Sequence, residues 1–167
     1  TVTSCTENEG KSTIAANIAL SLAQKHHRVL LVDADLRKPA QNLIFEANPD
    51  PNANFGVFLT RGFTADALRK SIYKHESSGL HILFTRALRR KDAESFSTAS
   101  FRPVLDALRR SFDYIIVDTP PMAMFSDAEV ITDASDASIL VVRQDLVPAV
   151  TINDSIDALS DSPAEFL

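Results

Sequence analysis

Glu9-Gly10-Lys11-Ser12-Thr13 runs directly into the helical spacing Ile14, Ile18, Leu22, and this junction sets the class of fold. A glycine, a lysine and a hydroxyl residue at a helix start are the working end of a phosphate-binding loop. The glycine lets the backbone approach a phosphate, and the first amides of the helix point at it. Lys11 then reaches the β- and γ-phosphates, and the Ser12 hydroxyl takes a Mg²⁺ position. The full pattern has an earlier glycine where this chain carries Cys5. So short a match is common by chance, and its meaning rests on the residues downstream of it.

Two apolar runs end in aspartate. Val29-Leu30-Leu31-Val32 leads into Asp33-Ala34-Asp35, and Tyr114-Ile115-Ile116-Val117 leads into Asp118-Thr119-Pro120-Pro121. Unbroken β-branched and leucine runs suit strands buried on both faces of a parallel sheet. Open α/β sheets bind ligands at the C-terminal ends of such strands, where an aspartate can hold a cation that bridges phosphates. Aspartates also end strands simply because they favour turns. For one strand end the two readings weigh evenly. With both behind a Lys-Ser-Thr loop, nucleotide binding is the better one.

The 167 residues, 45% of them hydrophobic, suit one globular domain spanning 1–167. No apolar run approaches the roughly 20 residues that cross a bilayer. The single cysteine excludes an internal disulfide. It reads as a small filler of the loop rather than a reactive thiol. A net charge of −5 gives no support to nucleic-acid binding. Thr1-Val2-Thr3 reads as the tail of a strand, so the chain is expected to be a fragment truncated at both ends.

Along the rest of the chain, residues 11–25 read as a helix and 28–33 as a strand. Residues 39–62 read as irregular, broken by Asn48-Pro49-Asp50-Pro51-Asn52. Further helices are expected at 64–73, 101–110 (with Pro103 in the first turn), 126–133 and 149–160. Further strands are expected at 80–84, 114–118 and 138–142, with Tyr114 in the core. The alternation implies parallel βαβ units. The fold class is α/β, a P-loop NTPase-like, doubly wound and mainly parallel sheet flanked by helices.

With the loop and both strand ends in place, the chain resembles the bacterial tyrosine kinases of capsule and exopolysaccharide synthesis. That family shares its P-loop class with the chromosome-partitioning and septum-placing ATPases. Val29-Leu30-Leu31-Val32-Asp33-Ala34-Asp35-Leu36-Arg37-Lys38-Pro39 is similar to the family's second Walker A-type motif. Phe112 to Pro121, followed by Ser126-Asp127-Ala128, resembles its Walker B region. Ser12 to Ala19 and Leu140 to Arg143 add to a likeness that covers most of residues 3–145.

The resemblance implies that Lys11 holds the β- and γ-phosphates of ATP or ADP and that Thr13 contacts the α-phosphate. Asn8, Glu9, Gly10, Ser12 and Arg37 complete the nucleotide site. Ser12, Asp33 and Asp118 hold Mg²⁺ or its waters. Lys11, Asp33 and Asp35 form the catalytic set, Asp35 being better suited to receive the tyrosine proton. Phosphoryl transfer needs mainly positioning and charge neutralisation, so carboxylates around one metal can share these tasks. Arg37 either pairs with Asp35 or faces a phosphate.

The chain departs from the family pattern in places. Glu7-Asn8-Glu9-Gly10-Lys11-Ser12 stands where relatives read Pro-Gly-x-Gly-Lys-Ser. Asn8 can supply the left-handed backbone of the missing glycine. Glu7 weakens phosphate binding unless it points outward. Arg86, Arg89, Arg90 and Lys91 either guide an acidic, tyrosine-bearing tail or form a solvated loop, the commoner fate of short charge runs. The family's tyrosine cluster is not found in the chain, and its final strand is expected to lie outside it.

The expected function is an ATP- and Mg²⁺-dependent, autophosphorylating tyrosine kinase domain that tunes polysaccharide export. It would act at the cytoplasmic face of the bacterial inner membrane with a transmembrane co-polymerase or chain-length adaptor, fused or separate. Sister subunits would present tyrosine-bearing tails within a homo-oligomer. One rival is a nucleotide-sensing module with little transfer activity. Another is a partitioning-type ATPase, disfavoured because Thr6 stands where those relatives carry a second loop lysine.

Overall fold

Val29–Asp33 (β2) and Tyr114–Asp118 (β5) lie side by side in parallel, and their register sets Asp33 directly opposite Asp118. The computed structural model describes residues 1–88 and 98–167, with Thr98 and Ala99 by backbone alone. Around this pair the sheet adds β1 (Val2–Ser4), β3 (Tyr73–Lys74), β4 (His81–Leu83), β6 (Ala137–Val141) and β7 (Glu165–Phe166). The strand order is β3-β4-β2-β5-β1-β6-β7. Every pairing is parallel except β3 on β4.

Alternation along β2 divides the core into two layers. Leu30 and Val32 pack with Phe55 and Phe58 of α3 (Phe55–Arg61), Leu68 of α4 (Ala65–Lys70) and Phe101 and Leu105 of α5 (Thr98–Arg109). Val29 and Leu31 face the other way, onto Ala15, Ala16, Ala19 and Ala23 of α1 (Lys11–Gln24). This alanine face lets α1 lie close on the sheet and fixes where its N-terminus meets the strand ends. Burying each of these leucines stabilises the fold by about 1.5–3 kcal/mol. A smaller cluster joins Ala128 of α6 (Asp127–Asp133) to Leu159 of α7 (Ala149–Ser160).

Several sequence expectations are corrected. Residues 39–62 contain two helices, the four-residue α2 (Gln41–Ile44) and α3. Asn54 caps α3 by accepting from the Val57 amide, so the Asn-Pro break leads straight into a helix. The helix expected at 64–73 stops at Lys70, and the chain turns into β3. Helix α5 begins at Thr98, which puts Pro103 in its interior. Tyr114 is 43% exposed rather than core. Val2 pairs with Asp118, so the start of β5 extends past β1, and Tyr114 meets the His27 ring edge-on. A strand does follow residue 160, since Glu165 of β7 pairs with Ala137. Arg86 is exposed, while Arg89, Arg90 and Lys91 lie outside the described residues.

Candidate nucleotide and phosphoryl-transfer site

The loop between β1 and α1 is held by its own side chains. Asn8 and Gly10 both have left-handed backbones, at φ 67° and 92°, so Asn8 adopts the conformation a glycine would supply. Gly10 is the N-cap of α1, and its carbonyl accepts from the Ile14 amide. The buried Glu9 carboxylate turns back into the loop, accepting from the Thr6 amide with one oxygen and the Arg143 amide with the other. Cys5 is fully buried, and burial pushes its thiol pKa up, as suits a filler. Glu7 points to Lys38, its carboxylate 2.6 Å from Nζ. Glu7, Asn8, Glu9, Gly10 and Lys38, with Lys11, Ser12, Thr13, Asp35 and Pro121, line a cavity of about 320 Å³.

The strand ends bring carboxylates to this loop. Lys11 Nζ lies 2.7 Å from Asp118 Oδ1 and 3.8 Å from Asp35 Oδ2, and it donates to Ser12 Oγ at 3.1 Å. Asp35 Oδ1 accepts from the Arg37 and Lys38 amides, which leaves Oδ2 on the Lys11 side. Asp33 is fully enclosed, and its oxygens accept from the Asp35 and Gln41 amides. Burial, and then the charge of Asp118, raise its pKa well above the usual carboxylate range. Lys11, Ser12, Asp33, Asp35 and Asp118 are thus brought together. Asp33 stands behind the others.

The Arg37 side chain pairs with Asp127 rather than with Asp35. Its guanidinium bonds Asp127 Oδ2 at 3.2 Å and stacks 3.9 Å above the Phe125 ring, while only its backbone amide reaches Asp35. It therefore ties the turn after β2 to the segment after β5. Desolvation raises the Asp127 pKa despite this partner.

Sequence reasoning missed Gln41. It is fully buried at the start of α2, with Nε2 2.7 Å from Asp118 Oδ2 and 3.0 Å from the Ser12 carbonyl. The available signal was a polar residue closely following the Asp-x-Asp-x-Arg stretch. Its Oε1 is buried with no hydrogen-bond partner. A hydroxyl and a carboxylate suit a hydrated divalent cation, whose bound waters donate hydrogen bonds. The residues present therefore fit Mg²⁺ held with phosphate oxygens. Among the described residues, no group of three or more His, Cys, Asp or Glu could hold a metal ion, so a cage built from those side chains alone is not the fit.

A family model described as an AAA domain matches residues 8–152. Over 167 residues the chain is 30% identical to the tyrosine-protein kinase CpsD of Streptococcus agalactiae serotype III (strain NEM316), covering 99% of this chain and 70% of that protein. The chain belongs to the bacterial tyrosine-kinase family. The crystal structure of the VpsO kinase domain agrees, with a TM-score of 0.84 at 30% identity, covering 99% of this chain and 79% of that one. The septum site-determining protein MinD of Pyrococcus horikoshii OT3, solved with Mg-ADP, has a TM-score of 0.81 at 21% identity, covering 99% and 65%. At that identity MinD shares the fold alone. Among the described residues, no helix of this kinase-family domain is long and apolar enough to cross a membrane.

Proposed function

We propose that residues 1–167 form one P-loop domain that transfers phosphate from ATP to tyrosine and thereby regulates capsular or exopolysaccharide synthesis. The observation that carries this reading is Lys11, 2.7 Å from Asp118 and 3.8 Å from Asp35 in a loop-lined cavity. The Gly10–Thr13 backbone and Lys11 bind the phosphates at the N-terminus of α1. Ser12 and Asp118 would hold Mg²⁺, which would supply charge neutralisation at the phosphates. Asp35 lines the cavity and has Oδ1 fixed by two amides, so Oδ2 takes the proton of the incoming tyrosine hydroxyl. Asp33 is enclosed and shapes the turn that presents Asp35. Arg37 holds the Asp127 segment, a supporting role at one remove from the phosphates.

The domain acts at the cytoplasmic face of the inner membrane, activated by a transmembrane adaptor and phosphorylating the tyrosine tails of sister subunits. The test is incubation with labelled ATP, a tyrosine peptide and the adaptor's cytoplasmic segment. Transfer is expected and should fall at least ~10²-fold in Lys11→Met, since Lys11 carries charge stabilisation at the phosphates. No transfer above the Lys11→Met background would sink the enzyme reading. Tight ADP binding by calorimetry without any transfer would favour a nucleotide-sensing module instead.

A further inference from the structure

We propose that Gln41 is a positioning residue that locks Asp118 and the first turn of α1 into the geometry that receives magnesium. The proposal rests on the reading of Ser12 and Asp118 as the metal-holding pair. Gln41 is the point where the loop and both strand ends meet. Its amide N–H donates to Asp33 Oδ2 at 3.1 Å, and Nε2 donates to Asp118 Oδ2 at 2.7 Å and to the Ser12 carbonyl at 3.0 Å. Both side-chain partners are acceptors, so the amide can present only its NH₂ to them, and Oε1 must face away. That oxygen is buried without a partner.

Packing alone does not account for this residue. Methionine would fill a similar volume without leaving an unsatisfied acceptor, so the amide's contribution lies in what it orients. A second charged donor would hold Asp118 too, but it would add to the positive charge that Lys11 already brings to Oδ1 and compete with the cation. A neutral amide fixes Asp118 Oδ2 and adds no further positive charge, with Oδ1 left to Lys11. Through the Ser12 carbonyl it also sets the backbone that carries the Ser12 hydroxyl. Partners that orient metal ligands in this way commonly change metal affinity ~10–100-fold when removed.

The test is calorimetry of ADP binding to the full chain in excess Mg²⁺ and in EDTA, the gain from Mg²⁺ being read as a ratio within each variant. Gln41→Met should lose at least ~10-fold of the wild-type gain, while its affinity in EDTA stays within about twofold. Gln41→His keeps one N–H donor and should restore part of the gain. Gln41→Leu, also without a donor, decides the question should Gln41→Met fail to melt cooperatively. A folded donor-less variant that keeps the wild-type gain overturns the proposal. So does an equal loss in Mg²⁺ and in EDTA, which marks a merely structural role. A wild-type protein that binds ADP with no gain from Mg²⁺ overturns the metal reading itself.

Discussion

His81 opens β4 with Nδ1 buried and unpartnered and its ring edge-on to Phe112. Burial, and then the nearby charge of Lys74, lower its pKa below the usual imidazole value. The fold therefore favours neutral His81, and that contribution is present above the unfolded pKa of about 6.5. It is lost as pH falls through the lower folded pKa. His81→Leu should flatten the fall of melting temperature between neutral and mildly acidic pH, as followed by circular dichroism. Glu7 is a second case, because its charge beside the cavity is pinned by Lys38. Glu7→Gln should raise ADP affinity about 2–3-fold at low salt, and the gain should vanish in high salt, where exposed charges are screened. Asn8 was legible from the sequence, since few residues tolerate its backbone. Arg37 was not, because its partner Asp127 lies 90 residues along the chain.

Helix α3 shows where local sequence carries an element and where tertiary contact does. Asn54 satisfies the Val57 amide and also donates to the Asp50 carbonyl at 2.8 Å. Asn54→Ala should cost about 1 kcal/mol in urea denaturation. Gly56 next to it donates its amide to Thr85 Oγ1, and a Cβ there would sit 2.9 Å from that oxygen and 3.2 Å from Leu88. Gly56→Ala should therefore destabilise by ~1–3 kcal/mol, through overpacking rather than helix propensity. Long elements such as α1 and β2 were legible because periodicity and unbroken apolar runs carry them. The short α2, β3 and β7 were not, because pairing with distant strands or buried polar contacts define them. Gln41 belongs to that group, as its partners converge only once β2 and β5 are adjacent.

Across the molecule as a whole, the sheet order made the candidate site readable. Adjacent parallel strands ending in Asp33 and Asp118 must place both carboxylates at one edge, where α1 delivers Lys11. The arrangement concentrates negative charge around one buried lysine, so a cation bound there should stabilise the folded state strongly. Binding to the folded state alone adds RT ln(1 + [L]/Kd), about 2.7 kcal/mol at a hundredfold excess over Kd. For a domain of this size each kcal/mol raises the melting temperature by about 2–4 °C. Mg-ADP at that excess should therefore raise it by about 5–10 °C in scanning calorimetry. Removing the metal with EDTA should abolish most of the rise. Lys11→Met should abolish it too, while lowering the ligand-free melting temperature, because Asp118 would lose its buried counter-charge. A rise that survives in Lys11→Met would mean that nucleotide binds away from the loop, and the assignment of this cavity would fall with it.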